Sequence, residues 1–151
     1  EGFADGADLR ELSANGLRAG EASFVGSDLR NSSFVDADLS MANFSGAVMT
    51  GATFRRASLQ SALFRNANLR NGRFVGADLT RADFIDADLT DVSFRGANLD
   101  QTDFTAAVMI EADLRGSHGL TCKQLVLALD WELTLRDEIM ACGAQIPSGS
   151  D

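Results

Sequence analysis

A five-residue period runs without a gap from Ala22 to Leu114 and limits the fold more than any other feature of the chain. Every fifth residue is bulky and apolar, and the residue two positions before it is small, most often alanine. The bulky centres are Phe24, Leu29, Phe34, Leu39, Phe44, Met49, Phe54, Leu59, Phe64, Leu69, Phe74, Leu79, Phe84, Leu89, Phe94, Leu99, Phe104, Met109 and Leu114. An α-helix cannot use this pattern, because apolar residues at i and i+5 spread around a helix instead of forming one stripe.

The spacing inside each repeat predicts one short strand followed by one bend. In extended backbone, residues two apart lie on the same face, so the small residue and the bulky centre both point inward. The residues that follow the centre are polar or glycine, as at Arg65-Asn66 and Gly96, which is the composition of a corner. Repeated strands and corners wind the chain into a coil, and the sequence therefore predicts an all-β solenoid.

The order of the centres predicts how many sides the coil has. Phenylalanine takes strict turns with leucine or methionine along the whole run. A four-sided coil stacks phenylalanine on phenylalanine, whereas a three-sided coil would mix the two kinds, so we favour four sides. The expected phenylalanine columns are Phe24, Phe44, Phe64, Phe84 and Phe104 on one side and Phe34, Phe54, Phe74 and Phe94 on the other. Successive turns would lie about 4.8 Å apart, the spacing of neighbouring strands.

Three repeats carry a family resemblance: Ala77-Asp78-Leu79-Thr80, Ala87-Asp88-Leu89-Thr90 and Ala97-Asn98-Leu99-Asp100. They resemble the A(D/N)LXX consensus of the pentapeptide-repeat family. The resemblance implies a right-handed quadrilateral β-helix over residues 22–116, and it implies no single function. The best-understood members resemble DNA in shape and charge and bind DNA gyrase, so a DNA-mimic gyrase binder is one hypothesis for this chain.

Residues 1–21 depart from the repeat. Ala7-Asp8-Leu9 keeps the register, but the next two centres would be Ala14 and Ala19, while Leu12 and Leu17 fall out of phase. One interpretation is a short helix from residue 8 to 14 that ends at Asn15-Gly16. The other is an imperfect first coil with small centres. Either would form an N-terminal cap, irregular or helical, over the first rung.

Residues 117–151 are predicted to form a C-terminal helical cap and tail. Thr121 and Gln124 have the spacing of a capping box ahead of an apolar run, which predicts a first helix. A second helix is predicted from about Leu133 to Ala141, ending before Gly143 and Pro147. Such a cap would cover the open sheet edge and the apolar end of the coil.

The two cysteines, Cys122 and Cys142, lie at the two ends of this predicted cap. Their position favours a disulfide, which would close a loop of about 20 residues and contribute about 3 kcal/mol in the chain-entropy model. Two buried free thiols in a cytosolic protein are the alternative. The tail around Cys142 also resembles that of some cyanobacterial lumenal or periplasmic members of the family. We therefore expect a periplasmic or thylakoid-lumen protein whose targeting segment is not part of this sequence, with the cytoplasm as the alternative.

The chemistry-bearing residues do not predict an enzyme. The repeat holds no cysteine and no histidine between residues 22 and 114, and His118 is expected at the hinge between coil and cap. Asp83 and Asp86 could be taken for an acid–base pair, but catalysis needs a concave and partly desolvated site, which a convex rod does not offer. The sequence thus predicts no catalytic, cofactor or metal site.

Charge and exposed apolar residues predict where a partner would bind. Between residues 22 and 74 three acids stand against six arginines, whereas between 75 and 113 nine acids stand against two arginines. A duplex mimic needs acidic stripes along its full length, so this polarity argues against DNA mimicry. We do not expect direct nucleic-acid binding either. On the four-sided coil one face collects Arg55, Arg56, Arg73, Arg95, Val35 and Val75, here named the arginine–valine surface. We interpret the chain as a non-enzymatic scaffold that binds an unidentified protein there, with its oligomeric state left open.

Overall fold

The computed structural model of the protein describes residues 4–136. From residue 4 to 118 the chain forms a coil in which each turn takes twenty residues, because Asp8 pairs in parallel with Asp28 and the same spacing continues to Asn98 and His118. Twenty residues are four repeats, so the predicted four-sided coil is confirmed. Each side is named here after its first buried centre: the Phe24, Leu29, Phe34 and Leu39 faces.

Backbone hydrogen bonds join each turn to the turns below and above it. The residue before a centre donates downward, as Asp78 does to the carbonyl of Ala57 at 3.0 Å, and the centre itself donates upward, as Leu79 does to Asn98 at 2.9 Å. The second corner residue also donates upward, and the next alanine closes the turn by donating to the carbonyl of the centre. Four of the five amides in such a repeat are therefore paired within the backbone.

The phenylalanine centres form the core in the two predicted columns. The ring of Phe64 lies 5.1 Å from that of Phe44 and 4.7 Å from that of Phe84, with planes within 5° of parallel. Across the coil it meets Phe74 edge-on at 5.7 Å. Phe64 is fully buried, as are the alanines that precede most centres. Stacked and edge-on aromatic pairs each add about 0.5–1.5 kcal/mol to the free energy gained from burial.

Every corner from residue 6 to 116 places its second residue in the left-handed backbone region. Eight of these positions are glycine. The other fifteen have side chains with φ between 54° and 61°, among them Asn31, Ser61 and Asp86. A residue with a side chain in this region carries a backbone strain of about 1–3 kcal/mol. The strain at the corners therefore offsets part of the stability that comes from burial of the core.

Residues 4–21 form the first turn of the coil, and the short helix considered for residues 8–14 is wrong. Ser13 pairs with Ser33, and Leu9 donates to the carbonyl of Asp28 at 2.8 Å. A helix here would leave the edge of the second turn without these partners, which explains why the ladder prevails over local helix signals. Ala14 and Ala19 are only partly buried, as expected for small centres.

The C-terminal segment contains less helix than predicted. Its elements are α1 (Cys122–Leu125), a single turn, and a 3-10 helix at Trp131–Leu133. Leu133 ends the 3-10 helix, the predicted second helix is wrong for residues 134–136, and the rest of it, to Ala141, lies outside the described residues. Instead, Leu135 pairs with Asp113 and donates to the carbonyl of Ala112 at 2.9 Å. The open edge of the last regular turn accounts for this pairing.

Gln124 ties this segment to the coil. Its Oε1 accepts the backbone N–H of Thr121 at 2.8 Å, as the capping box predicts. Its Nε2 donates to the carbonyl oxygens of Leu99 at 3.0 Å and Thr102 at 2.9 Å. Leu125 is fully buried in the same core cluster as the phenylalanines. Residues 119–136 thus form a distorted last turn of the coil. No helix among residues 4–136 is long and apolar enough to cross a membrane.

Candidate functional site

The coil brings the arginine–valine surface together on the Phe34 face. Val35, Arg55, Val75 and Arg95 each follow a phenylalanine centre of that face and lie twenty residues apart, so they form one outer column. Arg73 precedes the centre Phe74, and Arg56 is a second corner residue with a φ of 54°. The arginines are exposed, whereas both valines are half-buried. The surface is therefore a mixed basic and apolar strip.

Two arginines of this surface are paired with acids of the chain itself. Arg56 donates two hydrogen bonds of 2.7 Å to Asp36, and these bonds hold the pKa of the Asp36 carboxyl below its usual value. Arg95 lies 3.8 Å from Asp113, which Arg115 binds more closely at 2.8 Å. The hydrogen bond from Arg115 is the main reason that the pKa of Asp113 is lowered.

Arg55 and Arg73 have no such partner. Within residues 4–136, no carboxylate lies within 4.0 Å of either guanidinium group, and neither side chain donates a hydrogen bond there. Arg18 and Arg81 are likewise without a salt bridge in the described chain, but both lie on the Leu39 face. The Phe34 face thus holds two guanidinium groups that remain available to an outside anion.

These two arginines line a groove of about 390 Å³ between two columns of the coil. One side of the groove is the corner column with Asn31, Gly51 and Asn71. The other side is formed by Val35, Arg55, Thr53 and Arg73. Such a volume is at the lower end of the range for ligand pockets and can hold a few side chains.

Gly51 forms the notch in this groove because it is the one residue of the three corner positions without a side chain. It has a φ of 73° and lies between Asn31 and Asn71, whose φ values are 57° and 58°. A Cβ atom placed on Gly51 would lie 2.5 Å from Oδ1 of Asn31, so the Asn31 side chain leans over the gap. The Oγ1 atom of Thr53, also in the groove lining, is covered from solvent and has no hydrogen-bond partner among residues 4–136.

The aspartates considered as acid–base pairs stabilise corners. The carboxylate of Asp83 accepts the backbone N–H of Ile85 at 3.0 Å and a salt bridge of 2.6 Å from Arg65. Asp86 is exposed at a corner, with a φ of 59°. The contacts of Asp83 give it a structural role, and Asp86 is a corner residue at the surface of the coil.

A contact that the sequence reasoning missed occurs in the repeats that have an aspartate or asparagine directly before the centre. The side-chain oxygen of this residue accepts the N–H of the residue after the centre, as Asp78 does from Thr80 at 3.1 Å and Asn98 from Asp100 at 3.2 Å. This is the fifth amide of the repeat, the one that the backbone ladder leaves unpaired. Asp and Asn side chains often accept a hydrogen bond from the backbone N–H two residues later, and this preference could have predicted the contact from the sequence.

The same contact affects the pKa of the carboxylate. Burial alone would raise the pKa of Asp88, but hydrogen bonds from the hydroxyl and backbone N–H of Thr90, together with Arg70, outweigh it and lower the pKa. At the exposed first turn, the side-chain hydrogen bond from Arg10 lowers the pKa of Asp8 to about 2. These carboxylates are ionised at neutral pH and act as fixed acceptors.

The remaining predicted positions fall near the C-terminal end. His118 is the last residue in the regular ladder, donating to Ala97 at 3.0 Å. Among residues 4–136, no group of three metal-binding side chains is close enough to hold an ion. Cys122 is disulfide-bonded. Its predicted partner, Cys142, lies outside the described residues, so the Cys122–Cys142 pairing stays a prediction.

The sequence matches one protein family. Eight copies of the motif described as pentapeptide repeats were found, over residues 16–51, 47–86, 57–96 and 82–118. These ranges together span residues 16–118, which is all of the coil except its first residues. A search among curated proteins found no match.

Solved structures share the architecture. A pentapeptide repeat protein from the thylakoid lumen of Arabidopsis thaliana is 32% identical over 69% of this chain and 69% of its own, with a TM-score of 0.54. A pentapeptide repeat protein from the cyanobacterium Cyanothece 51142 is 18% identical over 85% of this chain and 90% of its own, with a TM-score of 0.61. The likeness implies that the coil is a right-handed quadrilateral β-helix.

Proposed function

This chain belongs to the pentapeptide-repeat family, and from that premise we propose that it is a non-enzymatic scaffold that binds a protein partner through the arginine–valine surface. Members of the family are generally structural or binding proteins. The observation that carries the proposal is the outer column of the Phe34 face, where valine and arginine alternate at Val35, Arg55, Val75 and Arg95. A column that offers apolar area and positive charge together suits a protein surface that is both acidic and partly apolar.

The proposed location is the periplasm or the thylakoid lumen. Two observations support it: the similarity to a thylakoid-lumen protein and the disulfide at Cys122. Disulfides persist in oxidising compartments and are rare in the cytosol. Titration of thiols in the unfolded, unreduced protein tests the Cys122–Cys142 pairing, because two free thiols per chain would rule it out.

Photo-crosslinking in the source cells tests the binding function. A photoreactive residue in place of Val75 should give a discrete adduct with one protein after irradiation. The matched control places the same residue at Val25, which follows a phenylalanine centre in the same way but lies on the Phe24 face. An adduct at Val75 and none at Val25 supports the proposal, whereas no adduct at Val75, or equal adducts at both, contradicts it.

The gyrase hypothesis is tested separately. A large excess of the protein added to a DNA supercoiling assay should leave gyrase activity unchanged, because six arginines interrupt the acidic surface between residues 22 and 74. Inhibition at low protein concentration would replace the scaffold proposal with DNA mimicry.

A further inference from the structure

We infer that the groove between Asn31, Gly51, Arg55 and Arg73 is the point where the arginine–valine surface recognises its partner, and that its ligand is a carboxylate side chain in an acidic segment of that partner. The inference rests on the proposed function and adds the chemistry of recognition to it. Four observations about this groove support it.

The first observation is the availability of charge. Seven arginines within residues 4–136 lie within 4.0 Å of an acidic side chain. Arg55 and Arg73 do not, and both line the same groove. A guanidinium group binds a carboxylate through paired, charge-assisted hydrogen bonds that are stronger than neutral ones. An incoming carboxylate would therefore not have to displace an acid of the chain.

The second observation is the shape of the groove. Asn31 and Asn71 extend side chains from the same corner column, and Gly51 between them does not. The missing side chain leaves a gap at Gly51, and Oδ1 of Asn31 leans over it, 2.5 Å from the place that a Cβ atom would take. The Asn31 and Asn71 amides, which form no side-chain hydrogen bond within the described chain, stand on either side where the backbone of a bound segment would pass.

The third observation is the unpartnered hydroxyl of Thr53. Its Oγ1 atom is buried without a hydrogen-bond partner among residues 4–136, although it belongs to the groove lining. A buried hydroxyl without a partner is costly, and a change of the Thr53 side chain to another rotamer, toward a bound carboxylate, would satisfy it. A polar ligand in the notch thus completes a hydrogen bond that the chain alone does not make.

The fourth observation selects a protein segment over a nucleic acid. Val35 forms part of the groove wall, and Val75 continues the same column. Nucleic-acid binding needs many cations along a backbone path, whereas the chain has a net charge of −9 and this face holds two arginines that have no acidic partner among residues 4–136. A short acidic segment with an aliphatic side chain uses both the arginines and the valines.

The test is an NMR titration of the labelled full chain with three probes. These are a synthetic peptide of alternating glutamate and leucine, the same peptide with glutamine in place of glutamate, and a single-stranded oligonucleotide. We expect saturable shifts at the amides of Gly51 and Thr53 and at the Nε–H groups of Arg55 and Arg73. The glutamine peptide should bind at least about tenfold more weakly, since it lacks the charge-assisted hydrogen bonds.

Gly51→Asn closes the notch without removing an arginine. Asparagine already occupies the neighbouring corners Asn31 and Asn71 with the same backbone conformation. The Cβ atom would meet only the far end of the Asn31 side chain, which can swing aside, so the coil should keep its fold. The matched control is Gly46→Asn, at a corner of the Phe24 face with a φ of 67° and open space around it. Gly51→Asn should weaken the glutamate peptide at least about tenfold, and Gly46→Asn should leave its affinity unchanged.

Several results would overturn the inference. These are equal shifts at Arg18 and Arg81, which would show attraction by charge alone, tighter binding of the oligonucleotide, or undiminished peptide binding by Gly51→Asn. The crosslink at Val75 separates this failure from that of the proposed function. If the Val75 adduct forms equally in wild type and Gly51→Asn, the groove is not the recognition point and the scaffold proposal stands. If the peptide binds in the groove but no adduct forms at Val75, the proposed protein-binding function is contradicted, whereas carboxylate binding in the groove is supported.

Discussion

The side-chain Oδ1 of Asp88 accepts the backbone N–H of Thr90 at 3.0 Å, and the same oxygen accepts the Thr90 hydroxyl at 2.7 Å. Thr90 is 6% exposed, so its amide has little access to water. Asp88→Asn keeps an acceptor in this position, whereas Asp88→Ala removes it. We expect Asp88→Ala to lower the free energy of unfolding by about 1–3 kcal/mol and Asp88→Asn, which loses only an exposed ion pair with Arg70, by at most about 1 kcal/mol. Equal losses in denaturant unfolding would show that the amide does not depend on this acceptor.

The lowered pKa values predict that stability falls in acid. A carboxyl whose pKa is lower in the folded chain contributes stability above its unfolded pKa and loses it as the pH falls through the folded value. Asp88 and Asp113 have lowered pKa values, and that of Asp8 is about 2. Unfolding free energy measured from pH 7 to 2 should therefore be level down to about pH 4 and fall below it. In Asp88→Asn the fall should be shallower, and a wild-type profile that stays level to pH 2 would contradict the assignment.

The left-handed corners predict an unusual direction for one glycine substitution. Ser61 has a φ of 56° and its side chain makes no hydrogen bond within the described chain, so Ser61→Gly relieves strain and loses little contact. We expect the free energy of unfolding to rise by about 0.5–1 kcal/mol, because the backbone strain that is relieved exceeds the conformational entropy that glycine loses on folding. Ser58→Gly in the same repeat is the control, since Ser58 pairs with Asp78 in the ladder and should lose about 0.5–1 kcal/mol. If both variants lose stability in thermal unfolding, the corners are not strained.

The C-terminal segment depends on a close approach at Gly119. A Cβ atom at this residue would lie 2.7 Å from the backbone nitrogen of Asp100, whereas at Gly116 the nearest atom would be 3.7 Å away. The φ values are 75° and 70°, so alanine would carry a similar backbone strain at either position. Gly119→Ala should therefore lower hydrogen-exchange protection of the Leu129 and Leu135 amides much more than Gly116→Ala does. Equal protection in the two variants would mean that this approach does not hold the segment on the coil.

The sequence predicted the repeating part of the fold because one periodicity determines it. The five-residue period gives the spacing of the ladder and the inward direction of the centres. The alternation of phenylalanine with leucine, as at Phe64 and Leu69, gives the aromatic columns. The C-terminal end was predicted less well, since Leu129 and Leu135 carry local helix signals and the open ladder edge overrides them. For an end segment, long-range backbone pairing decides the structure, and a single sequence does not reveal it.

The candidate site was predicted in part for a related reason. Once the coil has four sides, the sharing of one face by Arg55, Arg73 and Val35 follows by counting. The groove does not follow by counting, because it depends on Gly51 lying between two asparagines on the neighbouring column. The lack of acid partners for two of the arginines also needs side-chain positions, which no repeat pattern supplies.

The most direct measurement of the account compares partner binding by two charge-reversed variants. The partner captured at Val75 would be titrated against wild type, Arg55→Glu/Arg73→Glu and Arg18→Glu/Arg81→Glu. All four arginines are exposed and free of salt bridges within residues 4–136, so both variants change the net charge equally while they alter different faces. We expect Arg55→Glu/Arg73→Glu to lower the affinity at least about tenfold and Arg18→Glu/Arg81→Glu to change it less than about twofold. Equal losses in the two variants, or no loss in the first, would contradict this expectation.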